Sequence, residues 1–79
     1  MTIKQAFSSL QWDVKGTVYR PTFDINFMNC DGECDETQFT VSGSFKTAIK
    51  ELTDFFSDFC KENGCRTTSV TSITLVDDN

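Results

Sequence analysis

Four cysteines fall in two close pairs, Cys30 with Cys34 and Cys60 with Cys65, and the chain contains no histidine. Thiolate sulfur is a preferred zinc ligand. Four such ligands at about 2.3 Å form a closed tetrahedral site, commonly assembled from two pairs that the fold brings together. The residues therefore predict a structural zinc bound by Cys30, Cys34, Cys60 and Cys65. Catalytic zinc generally uses imidazole and keeps a position open for water, so any metal here would hold shape. The spacings, C-x3-C and C-x4-C, are looser than the C-x2-C of zinc knuckles and thiol redox motifs. Local disulfides or free thiols remain the alternative, with disulfides favoured only in an oxidising compartment. Lys61 and Arg66 beside the second pair could offset thiolate charge, or be ordinary surface cations.

Carboxylates form the second constellation. Glu51, Asp54, Asp58 and Glu62 recur at offsets of three and four, which on a helix makes one stripe. Like charges repel there, and Asp58 and Glu62 also approach the negative end of the helix dipole. Such a local cost can mark a binding face, against the plainer reading of a solvated one. Asp31, Glu33, Asp35 and Glu36 crowd the first cysteine pair, so convergence of the cysteines would join the two acidic groups into one surface for a partner's Lys and Arg. Calcium is disfavoured because the twelve-residue Asp-rich loop with a terminal Glu is missing. Catalysis is not expected: the chain lacks histidine, a phosphate-cradling glycine loop and a nucleophile with a neighbouring base.

These residues must be positioned by a few elements. Phe45, Ala48, Ile49, Leu52, Phe55, Phe56 and Phe59 predict the core face of a long helix over residues 44–63, with Ser42 or Ser44 at its start and Gly64 at its stop. Phe23, Ile25 and Phe27 alternate with polar neighbours, as do Phe39 and Val41, so two strands joined by a hairpin link over 30–35 follow. Residues 69–76 predict a last strand with Thr71, Ile73 and Leu75 on one face. Nearer the start, Ile3, Ala6, Phe7 and Leu10 fit a short helix with a Thr2/Gln5 capping box, and Trp12, Val14, Gly16 and Val18 a strand, with Pro21 at a turn. Trp12, Tyr19 and Met28 are candidate interface anchors, more often core in so small a domain. The expected fold is α+β: one long amphipathic helix on a small, mainly antiparallel sheet, stapled by the four-cysteine cluster.

A chain of 79 residues holds one domain, 1–79, and buries only about 60% of its unfolded surface, so a staple would matter. Eight Phe, one Trp and one Tyr supply enough apolar volume for a globular core. Twelve acidic residues against seven basic ones give a net charge of -5, the wrong sign for holding a nucleic-acid backbone directly. The opening residues do not read as an export signal and no stretch reads as membrane-spanning, so a cytoplasmic location with reduced thiols is expected.

In overall profile, a very small acidic domain carrying Cys30-Asp31-Gly32-Glu33-Cys34 and Cys60-Lys61-Glu62-Asn63-Gly64-Cys65, the chain resembles the phage-encoded anti-CRISPR proteins. The likeness is to a zinc-containing inhibitor of the type II-A RNA-guided nuclease. It implies action in the cytoplasm of a bacterial host: binding that effector at basic grooves and blocking DNA recognition or cleavage. The competing expectation is a zinc-stabilised interaction module of a mobile element that acts on another nucleic-acid enzyme.

Overall fold

Thr2 begins the first element because its hydroxyl accepts the Gln5 amide while the Gln5 side chain accepts the Thr2 amide, a reciprocal capping box. Helix α1, Ile3–Ser8, then buries Ile3, Ala6 and Phe7. The other elements among the described residues are β1 (Thr22–Met28), β2 (Cys34–Thr40), α2 (Phe45–Asn63) and β3 (Val70–Val76). In this computed structural model the described residues are 1–10, 20–43 and 45–76, the side chains at 45 and 46 excepted. The strand expected around Trp12, Val14, Gly16 and Val18, together with Tyr19, Ser44 and residues 77–79, lies outside them.

The strands form one antiparallel sheet ordered β2-β1-β3. Its middle strand buries Phe23, Ile25 and Phe27 on one face, and Thr22, Asp24, Asn26 and Met28 point to the other. β1 and β2 pair without interruption from Thr22↔Thr40 to Met28↔Cys34. Pairing with β3 slips instead: Asn26 faces Ser72 but Phe27 faces Val70, which leaves Thr71 as the extra residue of a bulge. Thr71 is therefore exposed, its hydroxyl donating to the Asn26 carbonyl, while Val70 and Ile73 take the buried places. Strict alternation could not anticipate that shift. On β2, the Glu36 amide is engaged by the neighbouring Asp35 carboxylate at 2.8 Å.

Across the core face of the sheet, α2 buries Ala48, Leu52, Phe56 and Cys60, a strict four-residue ridge. Phe27 meets the edges of Phe56 and Phe59 with ring centres 5.6 and 5.4 Å away, and Phe39 stacks on Phe55 at 4.4 Å. Relative to the expected helix face, Ile49 rotates outward to 38% exposure and Cys60 takes a core position at 4%. Because Phe27 and Phe59 meet, α2 ends beside the tip of the β1–β2 hairpin. The start of the chain closes on β3: the Met1 nitrogen donates to the carbonyls of Thr68 and Val70, and the Val70 amide to that of Met1.

Candidate functional site

Helix α2 needs a stop, and Gly64 supplies it. With φ of 73°, Gly64 occupies the left-handed region, and its amide donates to the Cys60 carbonyl at 2.8 Å. A helix that ends this way characteristically brings the residue after the glycine back onto the last turn. Here that residue is Cys65 and its contact is Cys60. Their sulfurs lie 3.0 Å apart, with the Cys65 thiol directed at the Cys60 sulfur. Burial, aided by the Cys65 contact, pushes the Cys60 thiol up to about 12.

The other pair is held differently. Between β1 and β2, Asn29 organises the link: its side-chain oxygen accepts the amides of Asp31 and Glu33, and its backbone exchanges bonds with Glu33 and Gly32. Gly32, at φ of 80°, completes the turn. Cys30 rides on this loop, whereas Cys34 is the first residue of β2, opposite Met28; both are exposed. Asn29 escaped the sequence reading, although an Asn three residues ahead of a Gly between strand-like runs is a turn signal.

Both cysteine-bearing ends open onto one cleft of ≈ 570 Å³, whose walls include Met28, Cys30, Gly32, Cys65 and Arg66. The expected convergence of hairpin tip and helix stop thus takes the form of an open cleft, lined by Cys30 from one side and Cys65 from the other. The four sulfurs are not gathered at a single point. Among the described residues no three His, Cys, Asp or Glu side chains are grouped to hold an ion. Of the four cysteines, Cys60 and Cys65 are in contact, and the expected joining of all four is not seen in this arrangement.

The acidic residues divide by role. Glu51 accepts the Ser42 amide and hydroxyl on one oxygen, and the Gly43 amide and Thr47 hydroxyl on the other. These bonds, led by those from Ser42, hold its carboxyl down at about 2. Glu51 thus fastens the chain before α2 and is the least available member of its stripe. Asp54, Asp58 and Glu62 are exposed, as are Asp31, Glu33, Asp35 and Glu36. On a helix, positions 58 and 62 border Phe55 and Phe59, with 54 one turn before 58 and further out, and Phe55 stacks against Phe39 of β2. The acidic flank of α2 therefore lies on the β2 side, the side that carries the hairpin carboxylates. Thr53 and Ser57 fall on the opposite flank and share a groove with Lys4 of α1, whereas Lys50 and Lys61 lie on the outer side of the helix next to Asp54, at offsets of four and seven. On the outer sheet face, Asp24 sits diagonal to Glu36 and raises its pKa by charge and by a hydrogen bond, with smaller contributions from burial and Asp35. The Asp24 Oδ1 atom is enclosed and has no hydrogen-bond partner among the described residues.

No family model, curated protein or solved structure matches the chain. No described helix is long and apolar enough to cross a membrane.

Proposed function

We propose that this chain is a small inhibitor that acts by binding, docking its acidic β2-side surface into a basic groove of a nucleic-acid enzyme. The observation that carries the reading is the run of carboxylates on the β2 side of α2. Carboxylates at 58 and 62, with 54 one turn earlier, continue toward the hairpin acids at 31, 33, 35 and 36, and β2 itself carries no Lys or Arg. A one-signed surface of this kind attracts Lys and Arg that otherwise grip phosphates. The resemblance drawn from the sequence names the type II-A RNA-guided nuclease as the target, with guide or DNA grooves as the place of contact.

Zinc belongs to this reading as a structural ion. Cys60 and Cys65 supply two adjacent sulfurs, Cys30 stands on the same cleft, and Cys34 lies opposite the cleft-lining Met28. Binding by all four would require the hairpin tip and the helix stop to close across the cleft. Elemental analysis of gently purified protein decides the matter, and substoichiometric zinc counts against it.

The functional test is a DNA-cleavage assay with the type II-A effector, paired with a pull-down. Cleavage should fall as the protein is added in excess. The Asp54→Lys/Asp58→Lys variant should bind roughly tenfold more weakly and with a flatter salt dependence, whereas Lys4→Glu, in the groove on the opposite flank, should bind unchanged. Undiminished cleavage at excess protein removes the nuclease as target. Equal binding by both charge variants removes the acidic surface.

A further inference from the structure

We propose that Cys60 and Cys65 form a reversible disulfide, making the stop of α2 a thiol-oxidation site that reads the surrounding pool of low-molecular-weight disulfides. The proposal rests on neither zinc nor the partner. Its ground is geometric: the glycine-terminated helix folds Cys65 back onto Cys60, and the sulfurs already touch at 3.0 Å. A bond of about 2.05 Å needs a further approach of roughly 1 Å. The partners also differ in access as a stepwise reaction requires. Cys65 is half-buried and lines the ≈ 570 Å³ cleft, where a tripeptide disulfide can reach it, while Cys60 is 4% exposed and reaches solvent poorly.

The oxidant is glutathione disulfide. The Cys65 thiol gives up its proton to water and its sulfur attacks one sulfur of the oxidant, breaking that bond and expelling one glutathione thiolate. Cys60 then loses its proton and attacks the Cys65 sulfur of the mixed disulfide, expelling the second glutathione. Two protein thiols are oxidised by two electrons, one glutathione disulfide is reduced to two glutathiones, and the released protons end on them. Cys30 and Cys34 offer no equivalent: both are exposed, one on the loop and one on a strand.

The experiment uses the full chain with a chelator present, equilibrated in glutathione buffers of graded ratio, then acid-quenched, alkylated and digested with trypsin. Trypsin cuts after Lys61 and so separates Cys60 from Cys65, whereas no Lys or Arg lies between Cys30 and Cys34. Peptides 51–61 and 62–66 should appear joined, two hydrogens lighter than their sum, and should separate with dithiothreitol. The Cys30→Ser/Cys34→Ser variant should lose both remaining thiols, and Cys65→Ser should lose the link. Because the fold holds the sulfurs in contact, the native chain should reach half-oxidation in a buffer about tenfold more reducing than the urea-unfolded chain needs. Persistence of free Cys60 in excess glutathione disulfide would overturn the proposal. So would a stable glutathione adduct on Cys65, a link from either residue to the peptide holding Cys30 and Cys34, or equal midpoints in native and unfolded chains.

Discussion

The two cysteine pairs are alike on paper, C-x3-C and C-x4-C, each with a glycine inside it, yet they end in opposite conditions. Gly32 and Gly64 both sit in the left-handed region, at φ of 80° and 73°. In the hairpin that conformation serves an Asn29-centred turn, and the flanking cysteines remain exposed with no sulfur contact. At the end of α2 it reverses the chain onto its own last turn, and the flanking cysteines meet. Spacing alone therefore says little about whether two thiols act together. What decides is the backbone motif beneath them.

The strongest way to break this contrast is to unseat α2. Phe56→Ala removes a fully buried ring packed on Phe27 and should cost about 3–5 kcal/mol. For a chain of this size each kcal/mol lowers Tm by about 4–8 °C, so thermal unfolding reads the loss directly. With the helix loosened, all four thiols should approach the same alkylation rate; in the parent protein Cys60 should be the slowest, because burial depresses its thiolate population.

A sharper comparison exchanges the two glycines for alanine. Either substitution forces a side chain into the left-handed region, at a cost of about 1–2 kcal/mol seen in the urea midpoint. Neither position crowds an added Cβ, so the backbone conformation alone sets the cost. The variants should nonetheless differ in thiol chemistry: Gly64→Ala should speed alkylation of Cys60, and Gly32→Ala should leave it unchanged. Equal responses would show that the helix stop does not hold the pair.

The smallest effect comes from the far end of α2. Glu51, with its carboxyl lowered from 4.5 to about 2 in the fold, contributes stability that is fully present above about 4.5 and lost as pH falls toward 2. Glu36 has the opposite sign: its raised pKa favours the protonated form in the fold, and that contribution fades as pH rises. Glu51→Gln should therefore flatten the acid side of the stability–pH curve and lower Tm by a few degrees at neutral pH. It should not alter the reactivity of Cys60, which the other end of the helix controls.

Much of the architecture was legible because it rests on local rules. The Thr2/Gln5 box, the alternation of Phe23, Ile25 and Phe27, and the glycine stop at 64 are each written in neighbouring residues. Less legible were features that depend on pairing. The bulge at Thr71 follows from the match between β1 and β3, and the slight rotation of α2 that exposes Ile49 and buries Cys60 follows from where its phenylalanines seat on the sheet. The double engagement of Glu51 was hidden for the same reason, since Ser42 and Gly43 approach it only once the loop has folded back. As for the cysteines, each pair could be read from the sequence, but the distance across the cleft between them could not.

The Asp35 carboxylate resting on the Glu36 amide has a consequence for how this protein keeps company. A strand at the margin of a sheet ordinarily offers its free amides as a template on which another chain can grow. Among the described residues β2 is such a strand, one of its donors is already taken, and the approach runs past Glu33, Asp35 and Glu36. A visitor to this side meets charge before it meets backbone, so recognition there passes through side chains and fibre-like stacking of copies is discouraged.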